Sequence, residues 1–196
     1  VRAVEPKMGD RIAVIGCGFM GLMVIAGPKS QALGDIVAID LDEKRLEMAV
    51  QYGATKTLNP KNVDVEDASF ELTHGRMYDC IVEITGSLRG LQTALSVAKI
   101  SGRGKILAPS VYSKNETWTE EMAYNMMYRS PIIHVVHPYY TNEYMYTLGI
   151  GVDAYVKGVF PTEEFITHRI PFERVSEGFQ LLDTNPPGYI KGIITF

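Results

Sequence analysis

Short apolar runs punctuate this chain at regular intervals, and stretches with helical spacing separate them. The runs Arg11-Ile12-Ala13-Val14-Ile15, Ile36-Val37-Ala38-Ile39, Thr55-Lys56-Thr57-Leu58, Tyr78 to Ile84, Gly104-Lys105-Ile106-Leu107-Ala108 and Ile132 to Val136 read as strands. Between them, Leu22 to Leu33 is largely apolar with one interruption. Asp42 can N-cap a helix running to about Tyr52, where Gly53 stops it. Val63 to Thr73 is a more polar helix ending at Gly75. Leu91, Ala94, Leu95 and Ala98 mark a helix face, and Glu120 to Arg129 is a Met- and Tyr-rich helix. Thr141 to about Lys157 reads as mostly helical, weakened by Gly149 and Gly151.

Six strands linked largely by helices are the makings of a doubly wound parallel sheet. Right-handed crossovers would bring the C-terminal ends of those strands to one edge. After about Pro161 the rhythm changes. Phe165 to Arg169 reads as a strand, Pro171-Phe172-Glu173 opens a helix to about Asp183, Thr184 to Gly188 is a Pro-rich turn, and Tyr189 to Phe196 is a last strand. This segment is expected to lie outside the six-stranded sheet. The expected division is therefore 1–161 and 162–196.

The first strand runs directly into Gly16-Cys17-Gly18-Phe19-Met20-Gly21, a G-x-G-x-x-G turn, and the second ends in Asp40. Strand, glycine turn, helix, strand and acid within one unit of this size point to a dinucleotide site, and with it to a Rossmann-type α/β fold. Gly16 allows the tight turn. Gly18, lacking a side chain, lets a pyrophosphate approach the main chain, and Gly21 lets the helix pack closely on the sheet. The free N–H groups of the first helical turn, around Phe19 and Met20, and the helix dipole favour phosphate charge. Asp40 would accept hydrogen bonds from the adenosine ribose hydroxyls and repel a 2′-phosphate, so NAD is expected over NADP.

One residue conflicts with this pattern. Pro28 lies inside the helix that should follow the turn, removing an amide donor and crowding the carbonyl of Val24 at a cost of about 3 kcal/mol. A kink or broken turn is expected there. It lies about two helical turns beyond Gly21, so the phosphate end should be spared.

Composition narrows the partners. Apolar residues make up 46% of the 196, enough for a buried core, and the net charge of −4 comes with no basic stripe, which disfavours nucleic acid. The apolar stretch Ile12 to Pro28 falls at the low edge of membrane-span length, but the glycines at 16, 18 and 21 break it where a strand should meet a helix. No membrane partner is expected. The two cysteines, Cys17 and Cys80, form no disulfide framework and fit a reducing cytoplasm. The first seven residues, Val1 to Lys7, read as the end of something longer.

In order and spacing, a set of segments resembles the medium-chain, zinc-dependent alcohol dehydrogenases of the polyol and threonine dehydrogenase type. These are Gly16 to Gly21, Asp40-Leu41-Asp42-Glu43-Lys44-Arg45-Leu46, Tyr52-Gly53-Ala54-Thr55, Asp79 through Glu83-Ile84-Thr85-Gly86-Ser87, Ile166 to Phe172, and Ile190 to Phe196. The resemblance covers almost the whole chain. It implies that Arg45 stands near the adenosine ribose, that Thr85, Gly86 and Ser87 form a loop beside the cofactor, and that Pro109 and Ser110 form the corresponding loop after the next strand. It also implies that main-chain groups around Val135 to His137 hold the nicotinamide carboxamide and that Lys191 reaches the pyrophosphate. Val136-His137-Pro138 stands where the family has a glycine-containing turn. The intact protein is then expected to transfer hydride between a secondary alcohol and NAD, as a dimer or tetramer joined through the sheet edge near Ile132 to Val136.

The family's catalytic zinc ligands and proton relay lie in an N-terminal domain that these residues do not contain. His134-x-x-His137 does not replace them, because strand residues three apart point to opposite faces. No catalytic residue and no metal ligand is therefore assigned to this chain, and the chain alone is expected to be inactive. The competing expectation is a free-standing NAD-sensing module without catalysis. The absence of any DNA-reading helix counts against it.

Overall fold

The computed structural model describes residues 2–27, 33–100, 104–136 and 144–196. Strands β1 (Ile12–Ile15), β2 (Ile36–Ile39), β3 (Lys56–Leu58), β4 (Cys80–Glu83), β5 (Lys105–Ala108) and β6 (Ile132–Val135) form one parallel sheet in the order β3-β2-β1-β4-β5-β6. Every pairing in it is parallel; β1 aligns Ile12 with both Ile36 and Cys80, at the centre of the sheet. The order reverses between β1 and β4. Connections run in opposite directions from these two strands, which opens a crevice at their C-terminal ends.

Helices α1 (Phe19–Ala26), α2 (Glu43–Tyr52), α3 (Val65–Leu72), α4 (Leu88–Ser96) and α5 (Glu120–Arg129) link the strands, and α6 (Tyr144–Val156) follows β6. All four positions of β1 and of β2 are buried, because both faces of the sheet are covered. On one face Ile12, Val14, Leu22, Ile25, Leu46 and Tyr52 cluster. On the other, Ala13, Ile15, Tyr78, Leu91, Leu95 and Met122 do. The edge strand β6 differs, with Ile132, Ile133 and Val135 all exposed.

The helix after the glycine turn stops at Ala26, with Gly27 as its cap. The interruption expected at Pro28 lies outside the described residues, as do His137, Pro138 and the start of the helix expected from Thr141. Ala98 falls two residues beyond α4 and bridges Tyr78 instead of extending the helix face.

The C-terminal segment forms its own sheet. Strands β7 (Ile166–Pro171) and β8 (Lys191–Thr195) pair in parallel across helix α7 (Val175–Thr184). Phe165 opens the segment inside a 3₁₀ turn, not on the strand itself. It is fully buried, edge-on to Tyr52 of α2 at 4.7 Å and to Phe19 of α1 at 6.1 Å between ring centroids. Tyr52 also donates its hydroxyl to Glu164. The segment is thereby anchored on the α1–α2 side of the six-stranded sheet.

Candidate cofactor-binding site

Three strand ends meet at a cleft of about 790 Å³. Gly16 and Gly18 follow β1, Asp40 to Arg45 follow β2, and Thr85 and Ser87 follow β4; all line it. Asn185 and Pro187 line it from the C-terminal segment. The location is the one predicted by topology, at the reversal of strand order.

The glycine turn is built as its spacing requires. Gly16 has φ +96, which side chains rarely tolerate. A Cβ on Gly21 would lie 1.9 Å from the carbonyl oxygen of Gly16, so only glycine lets α1 press against the turn. Gly18 is the reverse case. Among the described residues no atom lies within 4 Å of where its Cβ would be, so the main chain there faces open space. Gly18 is also the N-cap of α1, and no side chain caps that helix. By contrast Asp42, Asp64, Ser87 and Thr119 cap α2, α3, α4 and α5. Bare N–H groups, an uncompensated helix dipole and an open approach suit an anion such as a pyrophosphate. Phe19 turns its ring into the core, and Met20 is exposed.

Asp40 points into this arrangement. One carboxylate oxygen accepts from the Cys17 N–H at 2.6 Å, within the glycine turn, and the other from the Asp42 N–H at 2.9 Å. Each oxygen retains capacity for a further donor such as a ribose hydroxyl. Cys17 itself is fully buried, and burial followed by the Asp40 charge pushes its thiol far above the ordinary range. It is a packing residue and not a nucleophile.

The loop after β4 is fixed by Glu83, whose side chain is fully buried. One carboxylate oxygen accepts from the Thr85 N–H at 2.8 Å and the Thr85 hydroxyl at 2.5 Å; the other accepts from the Tyr112 hydroxyl at 2.5 Å. Burial first, and then Glu83, holds the Tyr112 hydroxyl protonated well beyond its usual range. A Cβ on Gly90 would strike both Thr85 and Glu83. The carboxylate thus ties the Thr85–Gly86–Ser87 loop to the loop that follows β5. Glu116, from that second loop, accepts from Ser87 Oγ at 3.0 Å and from the Leu88 N–H at 2.9 Å. These cross-loop ties had no local signature in the chain.

The remaining expected residues divide. Arg45 lines the cleft and is held by the C-terminal segment. Gly86 has φ +75 and lies next to the Val111 carbonyl. Pro109 follows directly on β5 but is not among the cleft's lining residues. The Lys191 ammonium sits 5.5 Å from the Phe19 ring centroid, over the start of α1, and likewise does not line the cleft. Leu41, Lys61, Arg89 and Thr93 do line it, although sequence patterns had not marked them as site residues. Leu41 follows β2, Lys61 follows β3, and Arg89 and Thr93 lie on the first turns of α4, so only the fold brings them to one space. Among the described residues no group of three or more His, Cys, Asp or Glu is placed to hold a metal ion, and no helix is long and apolar enough to cross a membrane.

The sheet order and the cleft at its reversal define a Rossmann-type α/β domain. The chain belongs to the zinc-binding dehydrogenase family, whose profile matches residues 20–130, and that match is to the family's cofactor-binding domain. It is 29% identical to alcohol dehydrogenase 1 of Pisum sativum over 185 residues, which is 93% of this chain and 47% of that protein. It is 28% identical to L-threonine 3-dehydrogenase of Bacillus licheniformis over 175 residues, 89% of this chain and 48% of that one. Among solved structures, an Escherichia coli oxidoreductase/dehydrogenase of unknown specificity involved in membrane biogenesis superposes with a TM-score of 0.83 at 26% identity. That superposition covers 99% of this chain and 53% of the other. The chain spans about half the length of these relatives.

Proposed function

We propose that this chain binds NAD in the cleft beyond β1, β2 and β4 and orients it within a zinc-dependent alcohol dehydrogenase. The observation that carries the reading is the open main chain over Gly18 beside an uncapped α1, with the Asp40 carboxylate bonded to the same turn. Main-chain N–H groups from Gly18 through Met20 hold the pyrophosphate, and Gly16 and Gly21 shape the turn that presents them. Asp40 accepts from the ribose hydroxyls, and Arg45 stands at the same ribose. Thr85, Gly86, Ser87 and Pro109 flank the dinucleotide. Lys191 approaches the pyrophosphate, and main chain at His137 holds the carboxamide.

When bound, the nicotinamide ring supplies hydride acceptance from a secondary alcohol. These residues contribute binding and orientation, and the chain alone turns nothing over. Zinc belongs to the proposal only as the intact protein's metal, for which the described residues offer no ligand set. Residues 1–161 form the binding domain, and 162–196 return toward the catalytic domain of the intact protein. The exposed apolar row on β6 supports pairing of two copies through that edge. Two buried free thiols suit a reducing cytoplasm.

Titration of the chain with NAD and NADP, followed by fluorescence or calorimetry, tests the reading. Wild type is expected to prefer NAD. Asp40→Ala should weaken NAD by about tenfold or more and remove most of the preference, since a charge-assisted hydrogen bond is worth about 1.5–3 kcal/mol. Wild type that binds neither dinucleotide would defeat the proposal.

A further inference from the structure

The adenosine side of the cleft is held from outside the sheet that builds it. Arg45 Nη2 donates to Oδ1 of Asn185 at 2.5 Å and to the carbonyl oxygen of Tyr189 at 2.9 Å. Both hydrogens of that nitrogen are therefore committed. Asp42, which caps α2, accepts from the Gly188 N–H at 3.1 Å with its second oxygen. Gly188, Lys44 and Arg45 N–H groups, outweighing partial burial, hold its carboxyl below the ordinary range. The β2 end and the turn after α7 are thus joined at two points, with Asp40, Arg45 and Asn185 lining one cleft.

Asn185 is the C-cap of α7, with φ 42 and ψ 60. That left-handed position is one that Gly or Asn fills readily. The backbone there needs no side-chain oxygen, and the oxygen goes instead to Arg45.

We propose that Asn185 is a specificity-determining positioning residue that fixes the Arg45 guanidinium and thereby sets the preference for NAD over NADP. The inference rests on the reading of the cleft as an NAD site. A guanidinium anchored on two acceptors presents its remaining donors in one direction. Released from Asn185, the same group on its flexible stem reaches a 2′-phosphate and pairs with it, offsetting the repulsion from Asp40. Loss of Asn185 therefore acts in opposite directions on the two dinucleotides: NAD loses an oriented partner, and NADP gains a mobile one. A role confined to ending α7 would shift both affinities the same way or neither.

The test is a titration of NAD and NADP against the 196-residue chain as wild type, Asn185→Gly, Asn185→Asp, Arg45→Met and the Arg45→Met/Asn185→Gly double variant. Glycine keeps the left-handed cap, so circular dichroism should match wild type. Asn185→Gly is expected to weaken NAD by about threefold to tenfold and to tighten NADP, narrowing the ratio about tenfold or more. Asn185→Asp keeps an acceptor oxygen for Arg45 and adds a charge that repels a 2′-phosphate, so the preference for NAD should stay at or above the wild-type ratio. With Arg45 replaced by Met, Asn185→Gly should change nothing further. An Asn185→Gly variant with the wild-type ratio overturns the inference, as does an effect that persists without Arg45. Wild type binding neither dinucleotide would instead overturn the NAD-site reading beneath it.

Discussion

Gly18→Ala is expected to leave the fold intact and to abolish tight NAD binding. At φ −70 and ψ −170 the backbone of Gly18 is open to alanine. No described atom lies within 4 Å of the new methyl group. Stability should therefore stay within about 0.5 kcal/mol of wild type, or rise slightly as the unfolded chain loses freedom. The methyl group would stand instead in the space over the turn through which the pyrophosphate approaches. Losing two charge-assisted bonds at about 1.5–3 kcal/mol each corresponds to about 100-fold or more in Kd. Gly21→Ala provides the contrast. Its methyl group would meet the Gly16 carbonyl oxygen at 1.9 Å, and that neighbour is backbone that cannot rotate aside. This variant should lose binding and about 3 kcal/mol of stability together. Denaturant melts and NAD titrations of the two proteins separate the outcomes. A Gly18→Ala protein with wild-type affinity would show that the pyrophosphate does not cross this turn.

Phe165→Ala should cost about 3–5 kcal/mol, the range for emptying a buried aromatic site. The ring is fully buried, and its edge-to-face contacts with Tyr52 and Phe19 come from the two helices on one side of the sheet. Such pairs add about 0.5–1.5 kcal/mol beyond the area they cover. Its loss should free β7, α7 and β8 before the six-stranded sheet melts, because it is the largest fully buried contact of the segment, leaving Ile190, the Lys191–Phe19 contact and the polar bonds of Arg45, Asp42 and Tyr52. Limited proteolysis should then cut first within 166–196, and NAD affinity should fall with release of Arg45. A urea midpoint shift equivalent to less than about 1 kcal/mol, with an unchanged cleavage pattern, would show that the ring is not the anchor.

The parts of this molecule legible in the chain are those governed by short-range rules. All six expected strands formed; the central runs read as apolar because both faces of the sheet are covered there, while the edge strands β3 and β6 are largely exposed. Asp42 and Gly53 begin and end α2 as capping chemistry requires. The Gly16, Gly18 and Gly21 spacing foretold a turn whose three glycines have three different reasons to be there. The C-terminal change of rhythm foretold a separate pair of strands. Boundaries slipped where a long-range partner decides them. Phe165 sits in a turn because its ring is drawn into the α1–α2 face, and Ala98 leaves α4 to bridge Tyr78.

The candidate site was half legible in the same sense. Gly16, Gly18 and Asp40 could be picked out because each follows a strand whose end had to reach one crevice, whereas Arg45, Thr85 and Ser87 came from the family resemblance; all six line the cleft. Lys61, Arg89 and Asn185 could not, since nothing near them in sequence records that they face the same space. Glu83 reads as the last residue of an apolar strand, where a carboxylate looks out of place. Only the fold supplies the Thr85 and Tyr112 donors that let it stay buried.

The chain by itself determined the alternation of strands and helices, the glycine turn and the acid after β2, because periodicity, capping and backbone freedom act over a few residues. Tertiary structure alone decided that a turn near residue 185 holds an arginine 140 positions away, and that a buried glutamate joins the loops after β4 and β5. Such contacts depend on where the sheet brings distant segments together, and no local pattern encodes that distance.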